Sequence, residues 1–229
     1  GYAMVLVVPS KGLNHYCEAE FKRYIYELGR TDAIIQCDPE PSLKALCQSV
    51  VDNCPGLSLR QTPKDWKQAH GTVGSSQRTF YGQMLAMRLA TQNNYDIEIT
   101  TAHPLFPWIT KHAQWLLNRY HEHSDGNTSY YRRWERNYSS TICNFSETVH
   151  FRATGRNTIK AETMWRQGLW FGRDTESDEH LLGTEDGIFK SRSIRRLPPT
   201  EMFNKSLLSK FTGLPWDPQS QGALTGALF

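Results

Sequence analysis

The stretch Ala33-Ile34-Ile35-Gln36-Cys37-Asp38-Pro39-Glu40 decides how the first half of this chain is read. A short apolar run ending in an acid and a proline has the form of a buried strand that runs out into a loop. Upstream, Ala3-Met4-Val5-Leu6-Val7-Val8 is continuously apolar and predicts a first strand buried on both faces, closed by Pro9-Ser10-Lys11-Gly12. Between these runs Cys17, Phe21, Tyr24, Ile25 and Leu28 recur at helical spacing, with Gly29 where a C-terminal cap belongs. Downstream, Pro41-Ser42 opens a helix carrying Leu43, Leu46, Cys47, Val50 and Val51, and Leu57-Ser58-Leu59 gives a third strand. Strand, helix, strand, helix predicts an α/β domain with parallel pairing.

The next informative stretch is Gly71-Thr72-Val73-Gly74-Ser75-Ser76-Gln77-Arg78, read as a Gly/Ser loop opening onto a helix. Ser75 or Ser76 can cap that helix, which runs to about Thr91 with Phe80, Met84, Leu85 and Leu89 on one face. Pro107 opens a further helix through Trp108, His112, Trp115, Leu116 and Arg119, and another follows Thr128. After about Ser140 the pattern changes to alternation, around Phe145 to Phe151, Trp165 to Phe171, His180 to Leu182 and Ile188 to Ile194. Turn signals at Thr154-Gly155, Gly172-Arg173 and Asp186-Gly187 separate these runs, which predict a small antiparallel barrel. Leu197-Pro198-Pro199 marks a break. The expected organisation is therefore an α/β domain over 1–139, a β-barrel over 140–198 and a partly disordered extension over 199–229.

Composition narrows the function classes. The chain has 229 residues, 38% hydrophobic and 12% aromatic, which supports a real core and excludes disorder over most of the length. A formal net charge of +3 permits a nucleic-acid partner without requiring one. Five cysteines with no CxxC point to reduced thiols and an intracellular home, nuclear or cytoplasmic. Sequons at Asn127, Asn137, Asn144 and Asn204 would matter only in a secreted protein. No run of roughly 20 apolar residues suggests a membrane span. His103, His112, His121 and His123 fit no zinc-ligand spacing and are read as helix surface and core.

Two basic segments could meet phosphates. In Tyr130-Tyr131-Arg132-Arg133-Trp134-Glu135-Arg136 an amphipathic helix would bury Tyr131 and Trp134 and leave Arg132 and Arg133 in solvent. Lys190, Arg192, Arg195 and Arg196 form the second cluster. Strand alternation would set Lys190 and Arg192 on one face as a phosphate-binding stripe.

The order of these elements resembles the RNase H-like core of retrotransposon integrases. The region from Val149 to Arg196 is similar to the SH3-like domain that follows this core in Copia-type Pol polyproteins. Lys160, Trp165-Arg166-Gln167-Gly168-Leu169-Trp170-Phe171-Gly172, Gly183, Glu185-Asp186-Gly187-Ile188 and Ser191-Arg192-Ser193-Ile194-Arg195-Arg196 carry that second match. The resemblance implies a truncated RNase H-like domain lacking its first strands, followed by a small SH3-like β-barrel. It also implies DNA integration by a DDE transferase whose carboxylates hold two Mg²⁺ ions. The family's middle carboxylate falls on Asp38, which is then the metal ligand. The third falls on Gln77, an amide that binds a hard cation far more weakly than a carboxylate does. The first lies upstream of Gly1. The function so implied is a catalytically inactive, nucleic-acid-binding remnant with weak or no Mg²⁺ binding, contacting DNA non-specifically through phosphates and open to self-association. The alternative is a non-catalytic protein-interaction or DNA-binding module retained in a host protein.

Overall fold

Ala33–Cys37 (β1) and Leu57–Gln61 (β2) pair in parallel, Ala33 against Leu57 and Cys37 against Gln61, as the apolar runs predict. The structure, a computed structural model, describes residues 1–8, 10–62, 71–153 and 165–219. Helix α1 (His15–Glu27) starts where the Asn14 side chain accepts the Cys17 N–H at 2.8 Å. Helix α2 (Pro41–Asn53) starts on a proline, whose missing N–H costs nothing in a first turn. Both helices cover one face of the β1–β2 pair. Ile25, Val50 and Cys54 are buried there against Phe21, Ile35, Leu46 and Leu57. Alternation leaves Ile34, Gln36, Ser58 and Arg60 exposed on the other face.

Residues 3–8 do not form the expected first strand. They make a half-buried strap whose N-terminal end is held by side chains. The Ala3 N–H donates to Asn118 Oδ1 (3.0 Å) and Asn118 Nδ2 donates to the Ala3 carbonyl (2.7 Å). The Tyr24 hydroxyl donates to the Tyr2 carbonyl at 2.8 Å. An apolar run becomes a strand only beside a ladder, and here an asparagine amide stands in for one.

The second half is built around five antiparallel strands: β3 (Thr148–Arg152), β4 (Trp165–Arg173), β5 (His180–Thr184), β6 (Gly187–Ser191) and β7 (Ile194–Arg196). Their order is β6-β5-β4-β3-β7. The expected SH3-like β-barrel is therefore corrected to an open sheet, since edge strands β6 and β7 do not pair. The sheet curls until the Ser191 hydroxyl at the end of β6 donates to the Arg152 carbonyl at the end of β3 (3.0 Å). Closure stops there because β7 is three residues long and its ladder is committed to β3. The architecture is an α/β arrangement of one small parallel and one larger antiparallel sheet, not an RNase H-like core followed by a barrel.

The two faces of this sheet bury different clusters. Val149, Phe151, Trp170 and Leu182 pack inside the curl with Cys143. Leu169, Phe171, Leu181 and Ile188 face α3 (Gly71–Tyr95), α4 (Leu105–Tyr120) and α6 (Lys205–Lys210), which follows a 3₁₀ turn at Pro199–Glu201. This larger cluster takes residues from both sides of positions 140 and 199. Leu208, Phe211 and Leu214 of the C-terminal extension are buried in the described part, and residues 220–229 lie outside the described residues.

Helix α3 departs from expectation twice. Residues 71–76 are already helical rather than a loop, and the buried face is Phe80, Met87, Thr91 and Tyr95. Packing of that face on α4 outweighs the propensity cost of Gly71 and Gly74, about 1 kcal/mol each. Leu85 and Leu89 instead stand out into solvent with Val73 and Tyr81.

Candidate functional site

Asp38 follows β1 directly and is exposed, at the C-terminal end of a parallel strand as expected. Gln77 lies in the second turn of α3, also exposed. Among the described residues no three His, Cys, Asp or Glu side chains gather in a group that could hold a metal ion. A hard divalent cation needs several anionic oxygens at one point. One exposed acid and one amide on separate elements do not fit a two-ion centre, and no chemical step follows from them.

His103, His112, His123 and His180 serve packing and local hydrogen bonding. His112 is buried on α4, stacked 5.2 Å from Trp115 and 5.7 Å from Phe145 and edge-on to Trp170 at 5.1 Å. Burial pushes its pKa down to about 3, with the Arg119 charge adding to the effect. Gly172, at φ +116°, lets β4 pass the ring, since a Cβ there would lie 2.5 Å from His112 Nδ1. His180 Nδ1 accepts the Trp170 indole N–H at 2.9 Å, and burial, then Arg173, lowers its pKa to about 4. His103 Nδ1 accepts the Leu105 N–H at the start of α4 (3.1 Å). His123 Nε2 lies 2.8 Å from Ser129 Oγ, whose hydroxyl also reaches the Gly1 carbonyl (2.9 Å).

The six basic residues singled out by sequence do not form one surface. Lys190 is on edge strand β6, 2.9 Å from Asp174. Burial pushes the Asp174 carboxyl up, but Lys190 and the Ser177 donors outweigh it and hold the pKa below the usual range. Arg192 lies beyond β6, not on its face, and pairs with Glu179 at 3.3 Å. Arg196 grips the fully buried Glu147 with two guanidinium nitrogens, at 2.6 and 2.8 Å, and those bonds raise its own pKa. On α5 (Ser129–Trp134), Arg132 pairs with Asp125 at 2.6 Å. Arg133 is half-buried and donates to the Glu27 carbonyl at 3.1 Å. The ring packed inward beside Trp134 is Tyr130, 4.5 Å away, whereas Tyr131 is 38% exposed, the reverse of the expected pair.

Arg195 is different. It is exposed, and among the described residues no carboxylate lies within ion-pairing distance of it. Its guanidinium carbon sits 4.1 Å from the centroid of the Trp165 ring. Register explains the meeting. Arg195 faces His150 on β3, His150 faces Gln167 on β4, and Arg152 faces Trp165. These five side chains share one face of the sheet, beyond the point where the helices cover it. Gln167 Nε2 and His150 Nε2 are 3.3 Å apart. Arg196, one residue on, points to the opposite face by strand alternation. Sequence reasoning found Arg195 but missed His150, Arg152, Trp165 and Gln167. The polar positions at i and i+2 in β3 and β4 were the available signal, but their cross-strand register was not visible. Lys160 lies outside the described residues.

No helix among the described residues is long and apolar enough to cross a membrane. No protein-family model and no curated protein matches the chain. The integrase, Copia-type and RNase H-like identities implied by resemblance thus gain no support from known proteins, and the open sheet overturns the SH3-like part.

Proposed function

We propose that this chain binds single-stranded nucleic acid, without sequence preference, on the sheet face formed by Arg195, Trp165, His150, Arg152 and Gln167. The observation that carries this reading is the exposed Arg195 guanidinium spread over Trp165, with no acid among the described residues to neutralise it. A stacked guanidinium keeps its N–H edge available for phosphate, while an aromatic ring on a sheet accepts an unpaired base of any kind. The other five basic residues are spent on acids or on a backbone carbonyl. The test is fluorescence anisotropy with a labelled oligonucleotide over a range of salt. Arg195→Gln should flatten the slope of log affinity against log salt by about 0.7, one phosphate contact to a single strand. Trp165→Ala should weaken binding by about 1–3 kcal/mol, the worth of one stacked base. The Lys190→Gln, Arg192→Gln pair should change the slope far less. Absence of binding at low salt, or equal affinity of both single variants and the parent chain, would refute the reading.

A second reading, self-association, rests on α3. Val73, Tyr81, Leu85 and Leu89 are 53%, 57%, 48% and 47% exposed, and the last three recur every fourth residue. Such a ridge is what two helices interdigitate when they cross at roughly −50°. Light scattering of the parent chain and of Leu85→Glu should then give a dimer and a monomer. A monomeric parent would dismiss it.

A further inference from the structure

We propose that the cavity between the N-terminal strap, α1 and α4 binds a small carboxylate with an apolar body. The cavity measures about 70 Å³, several times the roughly 10–15 Å³ that one water molecule needs. Trp115 and Arg119 line it, each 6% exposed, and each carries a buried N–H, Trp115 Nε1 and Arg119 Nε, with no hydrogen-bond partner among the described residues. Unsatisfied buried donors are expensive, so an acceptor brought by a ligand would recover that cost.

The charges around the cavity point to an anion. Arg119 is enclosed by aromatic rings, 4.3 Å from the Trp115 centroid and 5.1 Å from that of Tyr138, with no carboxylate within 4.0 Å among the described residues. Lys111 also lines the cavity, without an ion pair among the described residues, and burial lowers its pKa while Glu20 opposes the shift only partly. The two acids that line the cavity have partners on its wall. Glu20 pairs with Arg23, and Glu27 accepts from the Tyr2 hydroxyl. Arg173 is held by the Thr141 and Asp178 carbonyls. Arg119 is left without an ion pair among the described residues, and Lys111 is a group that an incoming anion would hold protonated.

The wall has an apolar flank of Met4, Phe171 and Leu181, and its other donors are committed within the fold: Asn118 to the Ala3 carbonyl, Gln114 to Asn118, Tyr24 to the Tyr2 carbonyl and Arg23 to Glu20. The Arg119 guanidinium, the Lys111 amine and the apolar flank suit a monoanion with two acceptor oxygens and an apolar body. A phosphate would need further donors for its remaining oxygens, which a wall whose other donors are already engaged does not supply.

The test uses the full chain with hexanoate as probe, and hexanol and inorganic phosphate as comparisons. Affinity is read by calorimetry, and the site by the indole N–H resonance of Trp115, identified among the seven tryptophans with Trp115→Phe. Hexanoate should bind and move that resonance. Lys111→Met should weaken it about tenfold, the loss of one charge-assisted hydrogen bond. Among the described residues Lys111 makes no ion pair, so this variant keeps the test valid should Arg119→Gln fail to fold. The proposal is overturned if hexanoate leaves the Trp115 resonance unmoved, if Lys111→Met binds as tightly as the parent, or if hexanol or phosphate binds equally well.

Discussion

The β1–β2 unit and the five-stranded sheet each bury one apolar face under helices, but they do so on very different scales. The small unit buries a cluster of Ile25, Val50 and Cys54, beside the thiols of Cys17, Cys37 and Cys47, and leaves Ile34 56% exposed on its open face. The sheet buries both faces, one against α3, α4 and α6 and one inside its own curl, with Trp170 and Phe151 fully enclosed. A helix pair over two strands can shield only one side. Curling gives the larger sheet a second protected side without another layer. Stability should therefore be concentrated in the sheet.

The most severe challenge to that contrast is a pair of truncations. Trp170→Ala empties the curl and strands His180 without its indole donor, so chemical denaturation should show a loss of about 3–5 kcal/mol. Val50→Ala should cost about 2 kcal/mol. Equal losses would abolish the distinction.

Acid should attack the better-packed region first. His112 lies on α4 in the helix–sheet layer and His180 beside Trp170 on the curl side, and both have folded pKa values, about 3 and about 4, below the ordinary 6.5. The folded state rejects their protons while the unfolded state accepts them. Their contribution is complete above pH 6.5 and is lost as pH falls toward the folded values. The slope is about 1.4 kcal/mol per pH unit for each histidine. Denaturation series at successive pH values should show this, and His180→Gln should roughly halve the slope. An unchanged stability between pH 7 and 5 would contradict the burial of both rings.

Breaking the Arg196–Glu147 pair comes next. Glu147 is fully buried, so Arg196→Ala leaves a carboxylate with the Asn144 N–H at 3.0 Å as its remaining donor. The expected cost is about 2–3 kcal/mol by thermal unfolding, below the fully buried limit because Arg196 itself is half exposed. By contrast Arg192, whose side chain is 88% exposed, should change stability by less than about 0.5 kcal/mol when replaced by glutamine. A large effect there would show that edge β6 depends on its charges.

What the sequence disclosed follows the same physical division. Local patterns placed β1, α1, α2 and the strands of the larger sheet, because period and capping are written in adjacent residues. Asn14 before α1 and Thr128 before α5 cap as such residues do. Non-local choices were hidden. Residues 3–8 looked like a strand because nothing local shows that Asn118, far along the chain, takes up the Ala3 backbone. Leu85 and Leu89 looked buried because α3 is apolar on more than one side, and only α4 decides which side is covered. The basic cluster looked like a stripe because alternation gives faces within a strand, not which strands become opposite edges. The Arg195–Trp165 contact depends on the β7–β3–β4 register, which no short stretch encodes.

The cysteines turn the contrast between the two regions into something that can be timed. All five thiols are free and buried. Cys17, Cys37, Cys47 and Cys54 sit on α1, β1, α2 and the end of α2, while Cys143 packs against the curl of the sheet. Burial raises the pKa of both Cys47 and Cys143 to about 11, so neither is reactive until its surroundings open. A thiol-alkylating reagent thus works as a clock with two hands. Modification of the first four marks each opening of the small unit, and modification of Cys143 marks the sheet, within one unlabelled chain.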